Sequence, residues 1–139
     1  MGRRVLVVDI HESVAQAVAR LLGGSGWGPF SFATGPSEAV AALERDGPAV
    51  VVIDVELDDG DGLDLVHQVR SVRTPPEVVV FTGSGSPEVA VACVRAGARG
   101  FVPKDAPPQD LLAAVAAVAD GGGWVPPPIL GEVMAVSYT

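Results

Sequence analysis

The chain alternates between short apolar runs and longer stretches in which apolar positions recur every three or four residues. The runs RVLVVD (4–9), FSFA (30–33), AVVVIDV (49–55), EVVVFT (77–82) and GFV (100–102) are rich in Val, Ile or Phe. Three of them are continuously apolar, as strands buried on both faces of a parallel sheet should be. Between the runs lie stripes at helical spacing. They are Val14, Val18 and Leu21; Ala39, Val40 and Leu43; Leu63, Val66 and Val69; Val89, Cys93 and Val94; and Leu111, Val115 and Val118. Stop signals stand where these helices should end, at GGSGWG (23–28), RDGP (45–48), RAGARG (95–100) and DGGG (120–123). The pattern predicts five strands and five helices in strict alternation, joined by right-handed crossovers into a doubly wound α/β sandwich.

Two segments depart from this alternation. GGSGWG has the glycines of a dinucleotide-binding turn, but such a turn must follow a strand and open a helix, and this one follows a helix and precedes a strand. It reads as an ordinary turn, which leaves a nucleotide-binding oxidoreductase as a distant alternative. After residue 122 the character changes: WVPPPILGEVMAVSYT holds three successive prolines, then Ile129, Leu130, Val133 and Met134 at helical spacing. The expected division is a domain over 1–122 and a tail over 123–139. That tail is either frayed or a linker with a short helix that packs on something outside this chain.

Composition narrows the function classes. The length of 139 residues fits one domain with a proper core. A formal charge of −8 argues against direct contact with nucleic acid, which needs basic patches. Cys93 is the only cysteine, so it has no intramolecular disulfide partner, and its apolar setting reads as a small buried hydrophobe. No apolar run approaches the roughly 20 residues of a membrane span, and no signal-peptide pattern opens the chain, so a cytoplasmic location is expected.

In a doubly wound sheet, ligands collect at the carboxyl ends of the strands. Asp9 follows the first strand, Asp54 ends the third, Thr82 closes the fourth and Lys104 follows the fifth. Together they suit phosphoryl transfer. A carboxylate can attack phosphorus to give an acyl phosphate, and a hydroxyl and an ammonium can each hold a phosphate oxygen. A second carboxylate can help to hold Mg²⁺.

The ordered blocks VIDVELDDGDGLDLVHQVR, VVVFTGSGS and AGARGFVPKDAP resemble the receiver domain of bacterial two-component response regulators, over residues 3 to about 122. GARGFVPKD and the Gly-rich exit from the last helix are most similar to the NarL/FixJ (LuxR-type) class. The resemblance implies a flavodoxin-like (βα)5 fold with strand order 2-1-3-4-5. It also implies Asp54 as phosphoacceptor, Thr82 and Lys104 as phosphate-binding residues, and Thr82 with Phe101 as the switch pair. It implies Mg²⁺ as cofactor, a sensor histidine kinase or other upstream partner, a homodimer, and a DNA-binding helix-turn-helix domain beyond a linker. Asp61-Gly62 would open the helix after the acceptor.

The first strand end departs from the family pattern. Two adjacent acids are usual there, and this chain reads Asp9-Ile10-His11. Ile10 replaces the acid that ligates the metal directly in the family. Glu56 stands where a backbone carbonyl serves as a further ligand, and LDD (57–59) replaces a loop that usually contains Pro-Gly. A metal seat of Asp9, Asp54 and Glu56 (backbone carbonyl, with its side chain a candidate to fill the gap) is therefore weakened by Ile10. Glu12 is less well placed to fill that gap, and His11 carries no assigned chemistry. Two functions follow from this. One is a pseudo-receiver that works without phosphorylation or is weakly phosphorylated, with Phe101 already turned inward. The other is a phosphorylation-driven receiver. Neither is an enzyme beyond self-phosphorylation and dephosphorylation at Asp54.

Overall fold

The computed structural model describes residues 2–57 and 61–137. Its strands are β1 (Val5–Val8), β2 (Phe30–Ala33), β3 (Val50–Ile53), β4 (Glu77–Thr82) and β5 (Gly100–Pro103). All neighbouring strands pair in parallel, in the order β2-β1-β3-β4-β5. The crossover helices are α1 (Glu12–Gly23), α2 (Pro36–Asp46), α3 (Gly62–Arg70), α4 (Pro87–Ala96) and α5 (Pro108–Ala119). This is the expected flavodoxin-like architecture, and it puts the ends of β1 and β3 side by side at the point where strand order reverses.

Successive strand residues face opposite sides of the sheet, so each apolar run feeds two cores. Leu6, Val8, Val51, Ile53, Val78, Val80 and Phe101 pack under α2, α3 and α4. Val5, Val7, Val50, Val52, Val79 and Val102 pack under α1 and α5. Helix boundaries follow local chemistry. Asp61 caps α3 by accepting from the Leu63 amide at 2.9 Å, and Ser86 caps α4 by accepting from Val89 at 3.2 Å. Gly97 ends α4 at φ +119°, a left-handed conformation that a side chain resists.

The α5 stripe of Leu111, Val115 and Val118 is buried as expected. The α1 stripe is offset by one position: Ala15, Val18 and Leu22 are buried, while Val14 and Leu21 are only partly covered. Those two residues, with Phe81, Ala106 and Leu111, instead line an open groove of about 410 Å³ between α1 and α5.

The tail differs more. The sequence predicted either fraying or packing on something outside the chain. Instead, a 3₁₀ turn (Pro127–Ile129) leads into α6 (Leu130–Ser137), which packs on this chain's own α4. Ile129 and Val133 are buried in the same cluster as Phe101, because an apolar helix face is more stable against a core it can reach than in water.

Candidate functional site

The site grows from two strand ends. In β1 and β3 the apolar runs stop together, and the Asp54 amide donates to the Val8 carbonyl at 2.9 Å, holding the two chains in register one residue past the strands. Asp9 and Asp54 are thereby fixed as neighbours with 3% and 5% exposure. Beyond Asp54 the backbone packs directly against α3: the Gly62 amide donates to the Val55 carbonyl at 3.0 Å. A Cβ at Gly62 would collide with the Asp54 carbonyl oxygen and the Val55 Cα, so only glycine allows this approach.

Two buried carboxylates side by side require a cation, and here it is Lys104. Its Nζ lies 2.6 Å from Asp54 Oδ2 and 2.7 Å from Asp9 Oδ2. The other two oxygens are held by backbone amides. The His11 amide donates to Asp9 Oδ1 at 2.8 Å, and the Glu56 amide donates to Asp54 Oδ1 at 3.1 Å. His11 Nδ1 also stands 3.4 Å from Asp9 Oδ1. Every carboxylate oxygen of the pair thus has a protein partner, and the trio carries one net negative charge. Partial burial alone would depress the Lys104 pKa, but the hydrogen bonds and charges of Asp54 and Asp9 outweigh it, and the net shift is upward. The ammonium stays charged across the neutral range.

Lys104 is in turn fixed by β4, its amide donating to the Thr82 carbonyl at 2.8 Å. Thr82 is buried, and its hydroxyl accepts from the Ser84 amide at 3.4 Å. The four residues read from the strand ends therefore converge: Asp9, Asp54 and Lys104 through their side chains, Thr82 through the backbone. Such a pocket offers a carboxylate nucleophile with an ammonium beside it to neutralise charge on a phosphoryl oxygen.

The residues at the mouth do not join them. Ile10 is 39% exposed and contributes no oxygen. The Glu56 side chain is exposed. Glu12 is also exposed and lies with Asp9 along a depression bordered by Phe32, Thr34 and Glu38. Asp58 and Asp59 fall outside the described residues. Among the described residues no three His, Cys, Asp or Glu side chains gather closely enough to hold a metal ion. A Mg²⁺ ion would meet carboxylate oxygens already engaged by Lys104 and by backbone amides, and it prefers near-octahedral oxygen ligands. The donor set does not fit an ordinary Mg²⁺ seat.

Phe101 stands on β5 three residues before Lys104, fully buried and turned toward α4. Sequence reasoning missed its neighbour Trp124: the Phe101 amide donates to the Trp124 carbonyl at 2.9 Å. The only available signal was the apolar spacing of Ile129 and Val133, which predicts a helix but not its docking site.

A family model described as response regulator receiver domain matches residues 5–116. The chain is 36% identical over 124 residues to the photosynthetic apparatus regulatory protein RegA of Rhodovulum sulfidophilum, covering 89% of this chain and 66% of that protein. It therefore spans about two thirds of that relative's length. Among solved structures, the RcsB response regulator of Salmonella typhimurium superposes with a TM-score of 0.86 at 20% identity, covering 96% of this chain and 70% of that one. At that identity the likeness concerns the fold alone. The signal receiver domain named NarL from Mycobacterium tuberculosis superposes with a TM-score of 0.79 at 27% identity, over 86% of this chain and 98% of that one. Among the described residues no helix is long and apolar enough to cross a membrane. With that model spanning most of a chain of this fold, the chain belongs to the response regulator receiver domains, the signalling domains of two-component systems.

Proposed function

We propose that this receiver is an atypical one, in which Lys104 supplies much of the cationic charge that a metal supplies elsewhere, and phosphorylation at Asp54 is weak or dispensable. The observation that carries this reading is the complete pairing of the Asp9 and Asp54 oxygens by Lys104 and two backbone amides, with Ile10 where a further carboxylate is expected. Asp54 is the phosphoacceptor position, Thr82 and Lys104 are the phosphate-binding residues, and Thr82 and Phe101 form the switch. Mg²⁺ binds weakly through Asp9, Asp54 and the Glu56 carbonyl, because even changes outside the ligand shell commonly cost about 10–100-fold in metal affinity. The upstream partner is a sensor histidine kinase or another signalling protein, the working form is a homodimer, and the location is the cytoplasm. The tail leads toward a DNA-binding domain through which the whole protein regulates transcription.

A fully phosphorylation-driven receiver is the second reading, favoured by the presence of Asp54, Thr82 and Lys104 together. Incubation with acetyl phosphate distinguishes the two. An Asp54 oxygen attacks phosphorus, the bond from phosphorus to the acetyl oxygen breaks, acetate leaves and an acyl phosphate remains. Intact-mass measurement should find little phosphoryl adduct, little stimulation by Mg²⁺, and none in Asp54→Asn. A near-complete, Mg²⁺-dependent adduct would establish the second reading, and an adduct surviving in Asp54→Asn would move the chemistry elsewhere.

A further inference from the structure

The segment after α5 takes up the free edge of β5. The Trp124 amide donates to the Arg99 carbonyl at 3.0 Å, and the Trp124 carbonyl accepts from the Phe101 amide at 2.9 Å, so that Trp124 pairs in parallel beside Gly100. The Arg99 guanidinium donates to the Gly121 carbonyl at 2.9 Å and ties down the turn that precedes it. The chain then folds over α4 and buries Ile129 and Val133 in the cluster that holds Phe101, Val80, Ala90 and Cys93. Phe101 is thus held by its backbone, which the tail pairs, and by its side chain, which shares a core with the tail. Lys104, the cation of the acidic pair, lies three residues further on, just past the end of β5.

We propose that residues 124–133 are an intramolecular latch that keeps Phe101 inward, so that tail release and outward rotation of Phe101 are one event. Packed cores leave no void in which a phenyl ring can turn, so the ring moves only if part of its enclosure leaves. The sheet and α4 belong to the (βα)5 core, and the tail joins the same apolar cluster from outside it. Departure also strips the Phe101 amide of its acceptor, which removes a reason for the strand edge to hold its shape. Coupling of this kind is reciprocal: whatever turns Phe101 outward must loosen the tail by the same factor. The latch gives the switch assigned to Phe101 above its mechanical partner, and it offers a route by which the state of the Asp9–Asp54–Lys104 cluster reaches whatever the tail is attached to.

The test uses the full chain labelled with fluorophenylalanine, without metal or phosphoryl donor, so that its outcome is independent of whether Asp54 is phosphorylated. The Phe101 resonance is identified among those of Phe30, Phe32, Phe81 and Phe101 by its absence in Phe101→Leu. In Ile129→Asp/Val133→Asp, amide exchange at Trp124 and Phe101 should accelerate by about tenfold or more, and the Phe101 resonance should split or shift toward the exposed position. In the reverse direction, Phe101→Ala should accelerate exchange at Trp124 by a similar factor. If the doubly substituted chain does not fold, Ile129→Ala provides the same readings at smaller amplitude. A Phe101 resonance that stays buried while the tail amides exchange freely would overturn the latch, as would tail amides that stay protected in the substituted chain.

Discussion

The two ends of β5 are held by opposite physics. At the Lys104 end, three charged groups are fixed at hydrogen-bonding distance, and the geometry depends on each having its partner. At the Phe101 end the same strand is held by apolar burial and one backbone pairing with Trp124. Removal of a group is costly at both ends, for different reasons. A charge taken away leaves its partners buried and uncompensated, whereas a ring taken away leaves a cavity. Only the polar end responds to pH or added cations; only the apolar end responds to the volume of the side chains around it.

The largest effect is expected at the apolar end. Phe101→Ala should lower stability by about 3–5 kcal/mol in denaturant unfolding, since a fully buried ring is deleted from a closed core. A loss below about 1 kcal/mol would mean that the tail collapses into the space and that the core there is plastic. Lys104→Ala comes next, with an expected loss of about 3 kcal/mol at neutral pH. Most of it should be recovered in the double variant Lys104→Ala/Asp9→Asn, where the like-charge pair is gone. The pH dependence of the Lys104 contribution has a definite sign. A folded-state pKa above the ordinary 10.5 means that its stabilisation is fully present below 10.5 and fades only as pH rises past the folded value. Wild-type minus Lys104→Ala stability should therefore stay flat from pH 7 to about 9.5.

Gly62→Ala should have a smaller, local effect of about 1–3 kcal/mol, because the new methyl group meets the Asp54 and Val55 backbone and forces the acceptor loop away from α3. Backbone amide shifts confined to residues near 54–56 and 62 would check it. The smallest effect concerns Cys93, whose thiol burial pushes up to about 12. Alkylation of the folded chain at pH 8 should be negligible and should appear only on unfolding.

Much of this architecture was legible in the sequence for a simple reason. Strands buried on both faces are continuously apolar, so the first charged residue after each run marks the strand end, and Asp9 and Asp54 were located that way. Where a helix packs on one side only, the stripe was readable to within one position; in α1, small Ala15 takes the buried place and bulkier Val14 is left at the groove. The fate of Glu56 was not legible, because spacing along the chain does not give the direction of a flexible side chain in a loop. Nor was the docking of the tail. Ile129 and Val133 announce an apolar face, but their receptor is the outer side of α4, which is in place only after folding.

If the Lys104 ammonium takes the place of a metal beside the acidic pair, Mg²⁺ should bind weakly. The most direct measurement is a Mg²⁺ titration followed by the amide shifts of Asp9, Asp54 and Glu56, in the wild-type chain and in Ile10→Asp. The wild type should show weak or no saturation, and Ile10→Asp should bind at least about tenfold more tightly, because the added carboxylate has no lysine partner and offers the ion a free oxygen ligand. Tight binding by the wild-type chain, or no gain from Ile10→Asp, would contradict this role of Lys104.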